Sequence, residues 1–243
     1  MNIYGITDKG KIRIINEDNL FVHIDEDKKF AFAAVCDGMG GANGGEVASE
    51  LAIETVEENI NCITSYPRRS QWGKLLRRIV NDSNKKIYEK SREDISLFGM
   101  GTTFVAFFCS TSKATIANIG DSRAYLISED EIKQITKDHS LVNELVKKGE
   151  LSANEASKHP NKNVITRALG VDSKVQCDIF DINVCKGQYI LLCSDGLTEE
   201  VSEPEIHFEV MNHNSAEESC NSLIELANSR GGHDNISVVI CAF

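Results

Sequence analysis

The segment AAVCDGMGGANGGEVASE (Ala33–Glu50) changes character abruptly at its first aspartate. An apolar run of the kind found in buried strands ends at Asp37, and a glycine-rich stretch follows it. From Glu46 to Ile60 the apolar side chains recur at helical spacing, so the segment predicts a strand, a turn and a helix. The carboxylate of Asp37 is therefore either a turn residue that closes the strand or a ligand held rigidly at the strand end.

Strand-like runs recur along the rest of the chain. They predict ten strands, at Asn2–Thr7, Leu20–Ile24, Phe30–Cys36, Thr102–Cys109, Ala114–Ile119, Arg123–Ile127, Ile132–Ile135, Val175–Ile182, Tyr189–Cys193 and Ile236–Ala242. Helical spacing predicts long helices at Glu46–Ile60, Gln71–Glu89 and 216–227, and a short one at 141–146. Many strands joined by tight turns, with a few long helices, indicate antiparallel sheets covered by helices. The polar stretch 138–170 interrupts the strands and is predicted to be an insertion over one edge of the core.

Composition limits the possible functions. The 243 residues, 41% hydrophobic and 26% charged, suit a single globular domain spanning 1–243, and no low-complexity linker divides them. The net charge of -11 argues against nucleic acid or an anionic membrane surface as the main partner. The eight cysteines form no C-x-x-C pair, so reduced core cysteines are expected rather than a disulfide framework or a zinc site. Without a signal-peptide pattern or a bilayer-length apolar run, we expect a cytoplasmic protein with no membrane insertion.

Acidic residues stand at the ends of several predicted strands. Asp195 follows the apolar run of ILLCSDGL, Asp234 precedes the final strand, Asp121 lies in a tight turn, and Glu17 and Asp18 precede a strand. A single Asp-Gly pair is usually only a turn. Several carboxylates at one end of a sandwich would repel one another unless cations neutralised them, and Mg²⁺ or Mn²⁺ requires oxygen ligands of this kind. Two such ions about 4 Å apart can activate a shared water for in-line displacement at phosphorus.

The chain resembles the metal-dependent serine/threonine protein phosphatases of type 2C (the PPM family) in their compact bacterial form. Seven motifs carry the resemblance in the family's order and cover almost the whole chain. They are G-x-x-R-x-x-N-E-D (Gly10–Asp18), V-C-D-G-M-G-G (Val35–Gly41), G-T-T (Gly101–Thr103), I-G-D-S-R-A-Y (Ile119–Tyr125), H-P-x-x-N-x-x-T-R-A-L-G (His159–Gly170), L-C-S-D-G-L (Leu192–Leu197) and G-G-x-D-N-I-S (Gly231–Ser237).

The resemblance implies an α+β fold, a four-layer α-β-β-α sandwich with a flap at 138–170. It also implies two core Mn²⁺ or Mg²⁺ ions and, in bacterial members, a third. By this resemblance, Asp37 bridges the two core metals, Asp195 and Asp234 complete the ligands of the first, and Glu17 and the Gly38 carbonyl bind the second. Asp121 is implied as a ligand of the third metal. Asp18 and Asn235 are implied to hold the ligands or metal-bound water in place, and Arg13 to bind the phosphate.

The implied activity is hydrolysis of phosphoserine and phosphothreonine in proteins, opposite a bacterial Ser/Thr kinase. A metal-bridging water or hydroxide would attack phosphorus directly, and a monomer is expected. Met39 stands where many eukaryotic members carry a histidine, so the general acid is unassigned and a metal-bound water is the first hypothesis. Two alternatives stay open: a phosphatase of the same fold that acts on a small molecule or a regulator, and a catalytically silent binding module.

Overall fold

The computed structural model describes residues 1–25, 27, 29–40, 44–63, 67–156 and 159–243. The strands are β1 (Asn2–Asp8), β2 (Asp18–Asp25), β3 (Phe30–Met39), β4 (Gly101–Thr102), β5 (Phe104–Cys109), β6 (Lys113–Ile119), β7 (Arg123–Ile127), β8 (Ile132–Gln134), β9 (Asp178–Asn183), β10 (Tyr189–Cys193) and β11 (Ile236–Ala242). The helices are α1 (Gly44–Asn61), α2 (Arg69–Glu93), α3 (Leu141–Lys147), α4 (Ala153–Ala156), α5 (Asp195–Thr198), α6 (Glu203–Asn212) and α7 (Ala216–Ser229), with a 3-10 turn at Ile95–Leu97.

The strands form two antiparallel sheets. One has the order β1-β11-β10-β7-β8, and the other runs β2-β3-β5-β6-β9 with β4 paired to β3. The register places Asp18 directly opposite Asp37 across β2 and β3. In the first sheet, β11 lies between β1 and β10, which brings the segments that precede β2, β11 and α5 to the same side of the fold.

Alternation along the strands divides the interior into three layers. In β3, Phe30, Phe32, Ala34 and Cys36 pack with α1 and α2, while Ala31, Ala33 and Val35 face the other sheet. In β11, Ile236, Val238 and Ile240 pack with α6 and α7, and the intervening Val239 and Cys241 point into the space between the sheets. Because successive strand side chains point to opposite faces, both sheets must be covered on both sides. The predicted four-layer α-β-β-α sandwich is confirmed.

Several predicted boundaries are wrong. Strand β3 does not stop at Cys36 but continues through Asp37 to Met39, because Gly38 and Met39 pair with β4. The run predicted as Thr102–Cys109 is interrupted at Thr103, and the run predicted from Val175 becomes a strand only at Asp178. Helices α5 and α6 were not predicted. All eight cysteines are free, and six are buried, as expected.

The insertion at 138–170 carries α3 and α4; one isolated bridge closes its base and another ties its C-terminal end to the core. An isolated bridge joins Ser140 to Ile165, and another joins Thr102 to Leu169. Gly41, the last residue of the V-C-D-G-M-G-G motif, and residues 157–158 of the insertion lie outside the described residues. Within the described ranges, none of the helices combines the length and apolar character needed to cross a bilayer.

Candidate functional site

A cavity of about 280 Å³ lies where loops of both sheets meet the insertion. Its lining includes eight of the residues singled out from the sequence: Arg13, Glu17, Asp37, Gly38, Asp121, Asp195, Asp234 and Asn235. The ninth, Asp18, is buried behind Asp37 and does not line the cavity. The structure thus brings together carboxylates that are as many as 217 positions apart in the chain, at Glu17 and Asp234.

The main chain of Asp37 is held by hydrogen bonds to the hydroxyl and the amide of Thr103. The Asp37 amide donates to the Thr103 hydroxyl at 2.9 Å, and the Thr103 amide donates to the Asp37 carbonyl at 2.8 Å. The Thr102 hydroxyl also donates to that carbonyl, at 2.9 Å. These bonds fix the backbone on both sides of the aspartate, so its carboxylate is presented from a rigid strand.

Glu17 and Gly38 meet at the beginning of α1. The Gly38 amide donates to the Glu17 carbonyl at 3.1 Å, and the Glu17 amide donates to Asn235 Oδ1 at 2.8 Å. A Cβ on Gly38 would overlap the carbonyl of Gly45 and would lie 2.5 Å from the Glu17 carbonyl oxygen. Only glycine allows this approach, so position 38 offers a main-chain oxygen at a place that no side chain could occupy.

Arg13 forms an ion pair inside this group of acids. One guanidinium nitrogen lies 2.7 Å from Asp234 Oδ2 and another 4.0 Å from Glu17 Oε2. The hydrogen bond to Asp234 raises the pKa of Arg13, and its side chain remains about half exposed, at 47%. Asn235 anchors the same loop, because its Nδ2 donates to the carbonyls of Lys9 and Ile15.

The turn that carries Asp121 is linked to Asp37 through buried hydroxyls. Ser122 Oγ lies 2.7 Å from Thr103 Oγ1, the same hydroxyl that accepts the Asp37 amide. Gly120 adopts φ +99°, and a Cβ there would lie 2.6 Å from Thr103 Cγ2. Contacts of Thr103 and Ser122 therefore set the separation between Asp37 and the turn.

His139 connects this turn to the insertion. Its Nδ1 accepts the Gly120 amide at 3.1 Å, and its own amide donates to the Gly120 carbonyl at 2.9 Å. Since Nδ1 is an acceptor, the neutral ring carries its proton on Nε2, which lies 3.3 Å from Asp178 Oδ2. These contacts hold the start of the insertion against the turn that carries Asp121.

The carboxylates destabilise one another's charged forms. Burial, followed by the charges of Asp18 and Asp195, raises the pKa of Asp37 well above its usual range. Burial likewise raises the pKa of Asp121 to about 7 and that of Asp195 to about 6. Such a group of acids is unfavourable when ionised unless a cation neutralises it.

The donor set fits divalent cations, although the acids alone do not enclose one. Within the described ranges, no group of three or more His, Cys, Asp or Glu side chains is positioned to hold a metal ion. An ion here would use the Gly38 carbonyl and water as well, as Mg²⁺ commonly does. A second observation favours a cation near these acids: Oδ1 of the buried Asp18 has no hydrogen-bond partner among the residues that the structure describes.

A pH dependence of the metal-free protein follows from Asp18. Burial raises its pKa to about 7, although Ser194 Oγ donates to its Oδ2 at 2.7 Å. A raised carboxyl pKa favours the protonated folded state, so the free energy of unfolding should fall as pH rises from about 5 to about 8. Asp18→Asn should remove roughly 1–2 kcal/mol of that fall, measured by urea unfolding with chelator. Asp130→Asn, on an exposed turn, is the control, and an unchanged pH slope in Asp18→Asn would contradict the assignment.

Residues of the insertion also line the cavity, and the sequence did not indicate them. Asn163 and Ile165 face the carboxylates from the segment that precedes Gly170. They belong to the H-P-x-x-N-x-x-T-R-A-L-G motif, but nothing in its residue types shows which side chains reach the core. Met39 lines the cavity as well, at the position of the missing histidine.

Comparison with known proteins agrees with this geometry. The family model described as protein phosphatase 2C matches residues 11–227. The serine/threonine phosphatase Stp of Listeria innocua is 41% identical over 234 residues, which cover 96% of this chain and 92% of the relative. The crystal structure of the serine/threonine phosphatase Stp1 from Staphylococcus aureus matches with a TM-score of 0.93 at 34% identity, over 99% of this chain and 94% of that one.

A further solved structure bears on the cation. The catalytic domain of the serine/threonine protein phosphatase PstP, solved in complex with two manganese ions, matches with a TM-score of 0.84 at 34% identity. It covers 98% of this chain and 96% of the PstP domain. The family match covers most of the chain, and the donor set suits the divalent metals that the family uses. The chain therefore belongs to the protein phosphatase 2C family and is a metal-dependent protein serine/threonine phosphatase.

Proposed function

We propose that this phosphatase hydrolyses phosphoserine and phosphothreonine in proteins by direct attack of water, and that it acts in the cytoplasm opposite a Ser/Thr kinase. One observation carries the proposal: carboxylates from five segments of the chain and an arginine line one open cavity. An anionic phosphate can enter such a cavity only if cations offset the acids, and Arg13 supplies one of them.

Two core Mn²⁺ or Mg²⁺ ions would be held by the residues at the cavity floor. Asp37 would contact both ions, Asp195 and Asp234 the first, and Glu17 with the Gly38 carbonyl the second. Asp121 would hold a third ion. When bound, the ions lower the pKa of a coordinated water and neutralise charge on the phosphoryl oxygens.

The side chains of the cavity leave the chemistry to water. No histidine, cysteine, tyrosine or lysine is among the described residues that line it. The one hydroxyl there, on Thr103, is already engaged by the Asp37 amide and by Ser122. With the carboxylates assigned to the cations, no other side chain among the described lining residues is placed to form a covalent phosphoenzyme or to protonate the leaving oxygen, so we assign both tasks to water.

Phosphate release from defined substrates tests this function. With manganese, the purified protein should release inorganic phosphate from phosphoserine and phosphothreonine peptides without forming a labelled protein intermediate. If a silent binding module were correct, these peptides would bind without turnover. If a small-molecule phosphatase were correct, an aryl phosphate or a phosphorylated metabolite would be cleaved and the peptides would not.

Arg13→Ala should weaken phosphate binding. Moving the guanidinium from Asp234 to two phosphoryl oxygens replaces one charged hydrogen bond by two, a net gain of about one such bond, worth about 1.5–3 kcal/mol. We expect kcat/KM on a phosphothreonine peptide to fall roughly 10- to 150-fold, with much of the loss in KM.

The conservative variant and metal affinity provide the controls for Arg13. Arg13→Lys should recover only part of the loss, because an ammonium is a point charge without the paired geometry of a guanidinium. Manganese affinity should change little in Arg13→Ala. A folded Arg13→Ala protein with kcat/KM within about twofold of the parent would rule out the phosphate-binding role.

A further inference from the structure

Exposed apolar side chains neighbour, along the chain, residues that line the cavity. Ile12 and Ile14, on either side of the lining residue Arg13, are 63% and 89% exposed. In the insertion, Val164 is 46% exposed and lies between two lining residues, Asn163 and Ile165. These three residues and Val171, which is 41% exposed, are called the apolar rim below.

Val171, the fourth residue of the apolar rim, lines a neighbouring cavity. That cavity, of about 230 Å³, is lined by Val171 and shares Met39 and Ile165 with the cavity that holds the carboxylates. The two cavities are therefore adjacent. Four of the nine large apolar side chains exposed in the described part of the chain belong to the rim.

The exposure of the isoleucines is imposed by the backbone. The amides of Lys11 and Ile12 donate to the Gly232 carbonyl, at 2.8 and 3.3 Å. Further along the loop, the Ile15 carbonyl accepts Asn235 Nδ2 at 3.0 Å. With both ends of this short loop anchored, Ile12 and Ile14 cannot turn inward without breaking the contacts that place Arg13.

We propose that the apolar rim binds the side chains next to the phosphorylated residue of a protein substrate. The inference rests on the proposed function and adds a preference: phosphoserine or phosphothreonine with apolar neighbours. A phosphoryl group at Arg13 would place the flanking residues of an extended chain over Ile12 and Ile14 on one side and Val164 and Val171 on the other. Burying these side chains against apolar partners would offset the cost of their exposure in the free enzyme.

An anionic membrane is the other surface that a basic, apolar loop can bind. The loop KGKIRII (Lys9–Ile15) has three cations and no acid, in a chain whose net charge is -11. A substrate polypeptide is favoured because Arg13 pairs with Asp234 inside the cavity and because the opposing apolar side chains come from the insertion. A membrane contact would not require apolar residues on both sides of a catalytic cavity.

Paired peptides test the apolar rim. Two phosphothreonine peptides would differ only in having leucine or serine on each side of the phosphothreonine, and an aryl phosphate would report on the catalytic centre. With manganese, the parent should prefer the leucine peptide by about tenfold in kcat/KM, the effect of partial burial of an aliphatic side chain. In the double variant Ile12→Ser/Ile14→Ser, the ratio of kcat/KM for the leucine peptide to that for the serine peptide should fall to about twofold or less. The ratio of leucine-peptide to aryl-phosphate hydrolysis should fall about tenfold.

Ile95→Ser is the matched control, because Ile95 is 87% exposed but, unlike Ile12 and Ile14, does not neighbour a residue that lines either cavity. It should retain the tenfold preference. An equal preference in the parent and the double variant would overturn the rim as a substrate surface while leaving the phosphatase function standing. The rim would likewise be overturned as a substrate surface, with the phosphatase function standing, if the double variant kept the leucine preference and lost only binding to phosphatidylglycerol vesicles. No hydrolysis of any of the three substrates by the parent would instead overturn the proposed function.

Discussion

Asp37→Ala should lower kcat/KM on a phosphothreonine peptide by at least about 10³-fold. The change removes the carboxylate proposed to contact both core ions, and metal assistance is worth several kcal/mol, or about three decades in rate. The metal-free variant should nevertheless be at least as stable as the parent, because the charge directly opposite Asp18 is lost. The loss of activity would then reflect the site and not unfolding.

Asp121→Ala is the matched comparison for Asp37→Ala. It removes an acid from the same cavity but leaves Asp37, Asp195 and Glu17 in place. Calorimetry with manganese should show that the tightest sites are retained in Asp121→Ala and lost in Asp37→Ala, while turnover slows less in Asp121→Ala. If Asp121→Ala lost the tightest sites and Asp37→Ala kept them, the assignment of core and accessory ions would be reversed.

Removing divalent metal should abolish turnover and lower the melting temperature. The side chains of the cavity provide no substitute for an activated water, so excess chelator should reduce phosphate release to background. Without cations, the acids around Asp37 outnumber the guanidinium groups of Arg13 and Arg123 that act on them, and they repel one another at pH 8. Manganese at 100 times its dissociation constant should stabilise the fold by about 2.7 kcal/mol.

Scanning calorimetry and phosphate release on the same samples would check both effects. Added manganese should restore activity and melting temperature together, over the same concentration range. The shift should be smaller at pH 5 than at pH 8, because the raised pKa values of Asp18 and Asp121 leave more of the acids neutral at low pH. Full activity after thorough chelation would refute the metal mechanism.

The sequence predicted the layers of this fold well because alternation in the strands is strong. Each of β3 and β11 places one set of apolar residues against helices and the other between the sheets, and such a pattern is visible without coordinates. The break at Thr103 was not visible. It arises because the Thr103 hydroxyl, and not a carbonyl, accepts the Asp37 amide, which depends on long-range placement.

Helices α5 and α6 were not predicted, for different reasons. Helix α6 is capped by Ser202, whose hydroxyl forms a capping box with the Glu205 carboxylate, and this local pattern could have been recognised. Helix α5 is only four residues long and has no periodicity to detect. The candidate ligands could be listed from motifs, whereas the Arg13–Asp234 pair joins residues 221 positions apart and needed the structure.

The pairing of β11 with β1 makes the site depend on contact between the two ends of the chain. Asn2 lies directly opposite Ala242, so this edge of the first sheet forms only when the chain has closed one of its longest loops. The residues just before β11, Asp234 and Asn235, reach the cavity only when that closure is complete. A chain that had folded β2, β3, β5 and β6 against α1 and α2 would be compact but would lack a finished metal site. The capacity to bind manganese therefore reports complete folding. It would distinguish native molecules from collapsed ones that a measurement of helix content alone would count as folded.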